Sequence, residues 1–450
     1  MKKKPIDGRA AFLRGWRKHI DKILRKSINY GANGEGRLTI TDERMVISNP
    51  IVTFVEKFSH HNGLYRKFFT KDRIIVPKNL SFYDNPEESL QFIQSACKAI
   101  SRSSNESLTI DYKGAQYKCL GAECLLGLAV IEARQSNINF DKRVIVNGVY
   151  PKKESHREII KAIGVVKEMV EATPHEVQDY SNKTANPKQR VFSVDSIGKE
   201  AASAFAQDRK NQTSEKFTSY ISACLADHKL VLNEHAHKFL TSCMGELLDN
   251  AERHCGLSQR PRWFVRGYVD NNSNYPVCEL AIINFGNTIA ETFEKLSDEH
   301  YSYNIQVKPY VEKHIDKKGM FAEGLTTVAA LQGRVSCKNE TQYDSSGTGT
   351  IELLKFFQDM HDDLRELRGA KIEKPRMSLI SGSTHLSFDG KYPLICALDD
   401  DDESELFSYP FNHKGLAYEP DRTYLREMKN AFFPGVMVNI RFPLAETKRT

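Results

Sequence analysis

No run of about 18 consecutive apolar residues occurs in this 450-residue chain, so no transmembrane helix is expected. No apolar h-region follows the basic N-terminus, so no secretory signal is expected either. No two of the nine cysteines (Cys97, Cys119, Cys124, Cys224, Cys243, Cys255, Cys278, Cys337 and Cys396) form a Cys-x-x-Cys pair, and their number is odd. Neither a disulfide framework nor a structural zinc site is therefore expected, and a reducing, cytoplasmic compartment is read. Internal repeats and low-complexity tracts are lacking too. What is present is 40% hydrophobic, 27% charged and 10% aromatic residues, which excludes a mainly disordered chain and gives room for at least two cores.

The net charge of +6 is unevenly spread. Residues 1–26 hold ten Lys/Arg against two Asp, a net +8, which leaves the rest of the chain at −2. Within them Leu13, Trp16, Ile20, Ile23 and Leu24 recur at helical spacing, so 1–30 reads as a basic amphipathic helix. Two uses stay open: packing its apolar stripe on its own protein, or contact with nucleic acid, an anionic surface or an acidic partner. The acidic run Asp399–Asp402 with Glu403 reads as a solvated loop.

Residues 31–72 are mixed. From 73 to 170, strand-like and helical patterns alternate: Arg73-Ile-Ile-Val-Pro, a helix from Pro86, Leu108-Thr-Ile-Asp, a helix over Cys124 to Arg134, Arg143-Val-Ile-Val-Asn, and a helix from His156 to Val170. This order predicts an α/β layer. It resembles the STAS-type fold of anti-anti-sigma factors. The stretch that corresponds to that family's phosphoacceptor turn is Lys118-Cys-Leu-Gly-Ala122, which lacks the acceptor hydroxyl. The resemblance therefore implies a dimerising or partner-holding layer rather than a phosphoswitch. Residues 171–215, rich in Asn, Lys, Gln, Ser and Thr, are read as a connector, helical towards its end. A second unit runs over 216–445.

That second unit contains Phe239-Leu-Thr-Ser-Cys-Met-Gly-Glu-Leu-Leu-Asp-Asn-Ala-Glu-Arg-His254. Leu240, Cys243, Met244, Leu247, Leu248, Ala251 and Cys255 form a core-facing helical stripe. Beside it runs a polar stripe of Glu246, Asn250, Arg253 and His254, with Glu246 and Asn250 as i,i+4 neighbours. Asn is a poor helix former, so its mid-helix place calls for a reason. Downstream come a strand and Gly turn, Leu280-Ala-Ile-Ile-Asn-Phe-Gly-Asn-Thr-Ile289, and then a glycine-led helix, Ser345-Ser-Gly-Thr-Gly-Thr-Ile-Glu-Leu-Leu-Lys-Phe-Phe357. Glycines entering a helix leave free N–H groups where an anion binds favourably. Met377–Gly390 reads as a hairpin, and Pro434–Leu444 as a closing strand.

The segment Glu246-Leu-Leu-Asp-Asn-Ala-x-x-His254 resembles the N box of the GHKL ATPases, the superfamily of histidine kinases, anti-sigma kinases and type II topoisomerases. The resemblance covers 216–445. It implies an α/β (α+β sandwich) fold, with a C-terminal histidine kinase-like ATPase domain after the N-terminal STAS-like layer, a lid over 290–345 and an insertion at 391–433. By the same resemblance Asn250 is the Mg²⁺ ligand, Glu246 the catalytic base and Arg253 a phosphate contact. Asn284, in place of the family's Asp, accepts from adenine, with Gly286 easing the turn. Gly347, Thr348, Gly349 and Thr350 hold phosphate. In the closing strand Val436 follows Gly435, where relatives carry Thr. The cofactors implied are ATP and Mg²⁺.

The function implied is an ATP-gated regulatory switch, hydrolysing ATP, in a bacterial cytoplasmic system, acting through a homodimer or a partner protein and not through a membrane. An anti-sigma-like serine/threonine kinase is the enzymatic alternative, and a nucleic-acid-associated regulator using the basic arm is a third. A classical histidine kinase needs a phosphoacceptor His on a two-helix hairpin upstream, for which His156 in Ser-His-Arg-Glu-Ile-Ile is the best candidate, though it lies in the STAS-like unit and lacks the usual Pro context.

Overall fold

The computed structural model describes residues 67–101, 103, 105–135, 144–172, 189–196, 206–254, 262–271, 273, 276–341, 344, 347, 349–369, 373–398 and 405–444. The basic segment 1–30, residues 31–66, the acidic run 399–403 and Thr348 lie outside them.

The described chain is a mixed α and β structure. Its N-terminal layer is built on β1 (Phe69–Thr70), β2 (Arg73–Ile75), β4 (Ser107–Asp111) and β6 (Ile145–Val149), adjacent in that order. Strands β2, β4 and β6 run parallel, and β1 is an antiparallel edge. A short parallel pair, β3 (Asn79–Leu80) and β5 (Tyr117–Lys118), leads into the crossover helices α1 (Pro86–Ser101) and α2 (Leu120–Gln135). The run from His156 forms two helices, α3 (Glu154–Ala162) and α4 (Val165–Ala172). The chain turns between them at Ile163 and Gly164, whose N–H groups both donate to the Ile159 carbonyl.

The second sheet has seven strands in the order β14-β11-β10-β15-β9-β8-β7, every neighbouring pair antiparallel. They are β7 (Gln189–Asp195), β8 (Arg262–Asp270), β9 (Val277–Phe285), β10 (Arg376–Gly382), β11 (Thr384–Phe388), β14 (Leu425–Glu427) and β15 (Phe433–Pro443). The expected hairpin pairs Met377 with Phe388 and Ser381 with Thr384. Two expectations are corrected. The stretch read as a connector carries edge strand β7, and residues 391–433, expected as an insertion, supply the other edge, β14, besides a hairpin of β12 (Ile395–Leu398) and β13 (Glu405–Ser408).

Both faces of this sheet are buried, because successive side chains alternate between them. Trp263, Val265, Leu280, Ile282, Leu379 and Val438 join one core with helices α5 (Ala206–Ala226), α6 (Glu234–Arg253) and α10 (Gly349–Arg368). Phe264, Tyr268, Ala281, Ile283, Phe285 and Met437 join the core of the N-terminal layer. That layer lies directly on the sheet. Gly121 of α2 sits so close to Asn439 that a β-carbon would overlap the amide oxygen. The first N–H of α2, from Leu120, donates to buried Glu279 Oε2 at 2.8 Å. Arg266, fully buried on this face, pairs with Glu168 of α4 and with Asp195.

Candidate functional site

Helix α6 starts at Asn233, whose side chain accepts from the Ala236 N–H at 2.7 Å. Leu240, Cys243, Met244, Leu248 and Ala251 are buried, as the apolar stripe predicts. This fixes the roll of the helix and turns Glu246, Asn250 and Arg253 to a cavity of about 380 Å³. Its floor is the sheet, through Ile282 and Asn284 of β9, Leu379 of β10, and Val436 and Val438 of β15. Its walls come from the start of α7 (Ile289–Glu294), from Ala330 and Leu331 at the end of α9 (Ala322–Ala330), from Val335–Lys338, and from Gly347, Gly349 and Thr350. Between α7 and α9 the chain also holds a π-helical turn (Ser302–Val307) and α8 (Lys308–His314).

Of the residues named from sequence, Glu246, Asn250, Arg253, Asn284, Gly347, Gly349 and Thr350 all line this one cavity. Gly286 does not. A close approach beside it is made by Gly435, at φ +131°, where a β-carbon would run into the Asn284 carbonyl, while the Gly286 N–H donates to the Pro434 carbonyl at 3.2 Å. Only glycine lets β15 lie so tightly on β9 there.

The two glycines ahead of α10 have separate packing reasons. Gly347, at φ +104°, has no room for a β-carbon against the Val335 carbonyl. A β-carbon on Gly349 would stand 2.6 Å from the Glu246 β-carbon. The helix start is thus held against both the Val335 backbone and the polar stripe of α6.

Asn284 is 6% exposed, and its Oδ1 is buried with no hydrogen-bond partner. Asn250 Oδ1 accepts from Arg253 Nη1 at 2.9 Å. Around Arg253 the charge is positive. Lys338 also lines the cavity, and Lys295 donates to Asn287 Oδ1 at 2.6 Å. Burial, helped by Arg253, Lys338 and Lys295, holds His254 down to about 4, so its imidazole is neutral at pH 7. Partial burial, and then the Glu246 carboxylate, raises Glu352 on α10 above the ordinary carboxylate range.

The site can therefore take an anionic group at its cationic corner and a hydrogen-bond donor at Asn284, with a carboxylate at Glu246. Sequence reasoning missed Asn287, Thr292, Cys337 and Lys338, which also line it. Asn287, Cys337 and Lys338 sit on irregular stretches and Thr292 on the short helix α7, too short for a periodicity to mark it. His156, the phosphoacceptor considered for α3, is 1% exposed and lies 2.6 Å from Glu123 Oε1, which shares its carboxylate with the Tyr112 hydroxyl. No protein-family model, no curated protein and no solved structure matches the chain.

Proposed function

We propose that the chain binds ATP with Mg²⁺ in this cavity and hydrolyses it as an ATP-gated regulatory switch of the GHKL type. The observation that carries the reading is the convergence of the Glu246–Asn250 pair, Asn284 and Gly347, three places far apart in sequence, on a single cavity. In that cavity a buried amide oxygen still lacks a donor. An exocyclic amine such as that of adenine supplies the missing donor. The amides at the start of α10 and the Arg253–Lys338 corner suit a polyphosphate.

The residues present also fit Mg²⁺. Among the described residues no group of three or more His, Cys, Asp and Glu could hold a metal ion by itself. That agrees with an ion held by one side-chain oxygen, waters and phosphates. Asn250 Oδ1 is that oxygen. Arg253, which now donates to it, releases it by turning to a phosphate. The ion, when bound, neutralises charge on the phosphates. Glu246 accepts the proton of the attacking water.

In this reading 216–445 is the GHKL-type unit and 73–170 a STAS-like layer. The alternation of β2, α1, β4, α2, β6 and α3 supports the latter. Burial of His156 favours a switch over self-phosphorylation. The switch acts in the cytoplasm on a second copy or a partner protein.

Calorimetric titration with ATP, with and without Mg²⁺, tests the reading. Wild type is expected to bind, and Asn250→Ala to lose at least about tenfold in affinity, specifically in its Mg²⁺-dependent part. Glu246→Ala is expected to bind ATP without releasing phosphate. Absence of ATP binding by wild type at millimolar concentration would overturn the reading.

A further inference from the structure

Among the described residues the two most exposed large apolar side chains are Val231, at 87%, and Leu367, at 68%. Both line one groove of about 320 Å³ between the turn that leads into α6 and the second half of α10. It shares no lining residue with the cavity described above. Phe356, Met360, Leu364 and Leu367 stand at i, i+4, i+8 and i+11 on α10 and form an apolar row about 16 Å long. Leu225, Leu230, Leu232 and Phe239 complete the apolar lining. A lone exposed apolar side chain is ordinary, whereas two on one concave apolar surface mark a place that something covers. The rim is acidic. Asp359, Asp362 and Asp363 all line the groove. Asp362 accepts from Gln358 Nε2 at 2.9 Å and lies 2.8 Å from His361 Nδ1, while Asp359 and Asp363 have no ion-pair partner among the described residues. Lys355, which also lines the groove, lies 4.5 Å from the centre of the Phe407 ring and 5.9 Å from that of Phe239. Partial burial raises the Asp359 carboxyl, and Asp363 and Asp362 add to that against the pull of Lys355 and His235.

We infer that this groove is a docking site for a basic amphipathic helix of a partner protein, whose apolar stripe packs on the α10 row and whose flanking Lys or Arg side chains meet Asp359 and Asp363. Shape and sign fix the occupant. The row has helical spacing and spans about three turns, so a second helix can lay its own apolar stripe along it. The lining comes from helices and the turn before α6 and holds no strand, so it offers no sheet edge to which an extended peptide could add. The rim carboxylates lack counter-charges, and an acidic helix would set like charges opposite one another. The inference stands without the nucleotide reading, since it uses none of the cavity residues.

The test uses the full chain and a fluorescein-labelled helical peptide of leucine and lysine, with its leucines along one stripe, read by fluorescence anisotropy. The peptide is expected to bind with a Kd of about 10 μM or tighter. A twin with glutamate in place of lysine, and a scrambled peptide of the same composition without the stripe, should each bind about tenfold more weakly or worse. Val231→Asp and Leu367→Asp should each weaken binding about fivefold or more. Asp359→Asn combined with Asp363→Asn should weaken it severalfold and flatten its dependence on salt. All four side chains are exposed, so the urea midpoints of these variants should stay near that of wild type. No binding of the leucine–lysine peptide at about 100 μM, equal binding of the scrambled peptide, or binding indifferent to Leu367→Asp overturns the inference. So does a glutamate twin that binds as well, which would put a partner of other chemistry in the groove. Self-association of the chain that Leu367→Asp abolishes, read by sedimentation, would put a second copy there and overturn it too.

Discussion

Leaving an acceptor dry in a protein interior costs about 1–3 kcal/mol. Asn284 carries that cost at its Oδ1 on the cavity floor, where Val436, its pairing partner on β15, offers no donor from its side chain. Asn284→Leu should therefore be neutral to stabilising, by up to about 1–2 kcal/mol, while ATP affinity falls about tenfold or more. Paired urea denaturation and calorimetry separate the two effects, and a variant that loses stability together with affinity would show Asn284 to be structural. This residue was legible from its place at the end of a strand before a Gly turn. The identity of the tight glycine was not. Gly286 follows the extended run of β9 whereas Gly435 stands near the start of β15, and only the β9–β15 pairing shows that Gly435 packs on a carbonyl.

Elements were legible where one face is apolar. The stripe of α6 follows from a single buried side, whereas β10 and β11, legible from the alternation of residue types, are buried along nearly their whole length on both faces. Strand β7 escaped because it is a polar-flanked edge with Phe192 buried and Val191 left 42% exposed, so its alternation is weak. The seating of α2 on the sheet was hidden as well, since its cap comes from 159 residues away, in Glu279. Glu279→Ala strands the Leu120 N–H and removes a negative charge beside Arg441. The expected loss is about 2–4 kcal/mol, concentrated in the N-terminal layer. Hydrogen exchange should show 107–149 opening ahead of β9 and β15. Uniform loosening of both regions would mean that the layer and the sheet unfold as one unit.

For the whole molecule, acid sensitivity follows from a histidine locked between the two layers. His385 is fully buried, with Nε2 2.9 Å from the Phe82 carbonyl and 3.1 Å from Ser378 Oγ. Burial, with Arg426 and Arg376 nearby, pushes it down to about 3. The unfolded chain protonates it near 6.5, so below that pH the unfolded state binds the extra proton and stability falls as pH falls. From pH 7 to 5 the contribution is a loss of about 2 kcal/mol, read as a drop in the urea midpoint. His385→Gln should flatten that slope, and an unchanged slope would assign the sensitivity to other groups.

The double burial of the sheet was half legible. Leu280-Ala-Ile-Ile is a continuous apolar run, which is the mark of a strand covered on both sides. What covers each side is a tertiary fact. In β9, even-numbered Ile282 and Asn284 floor the cavity, and odd-numbered Ile283 and Phe285 belong to the interlayer core. Parity along one strand thus allots every residue to one of two compartments a single backbone thick. Evolution can exchange side chains within a compartment one at a time, but a lone insertion or deletion in 280–285 would swap the two populations wholesale. Changes of length are therefore expected to be tolerated in the connections between strands and not within 280–285.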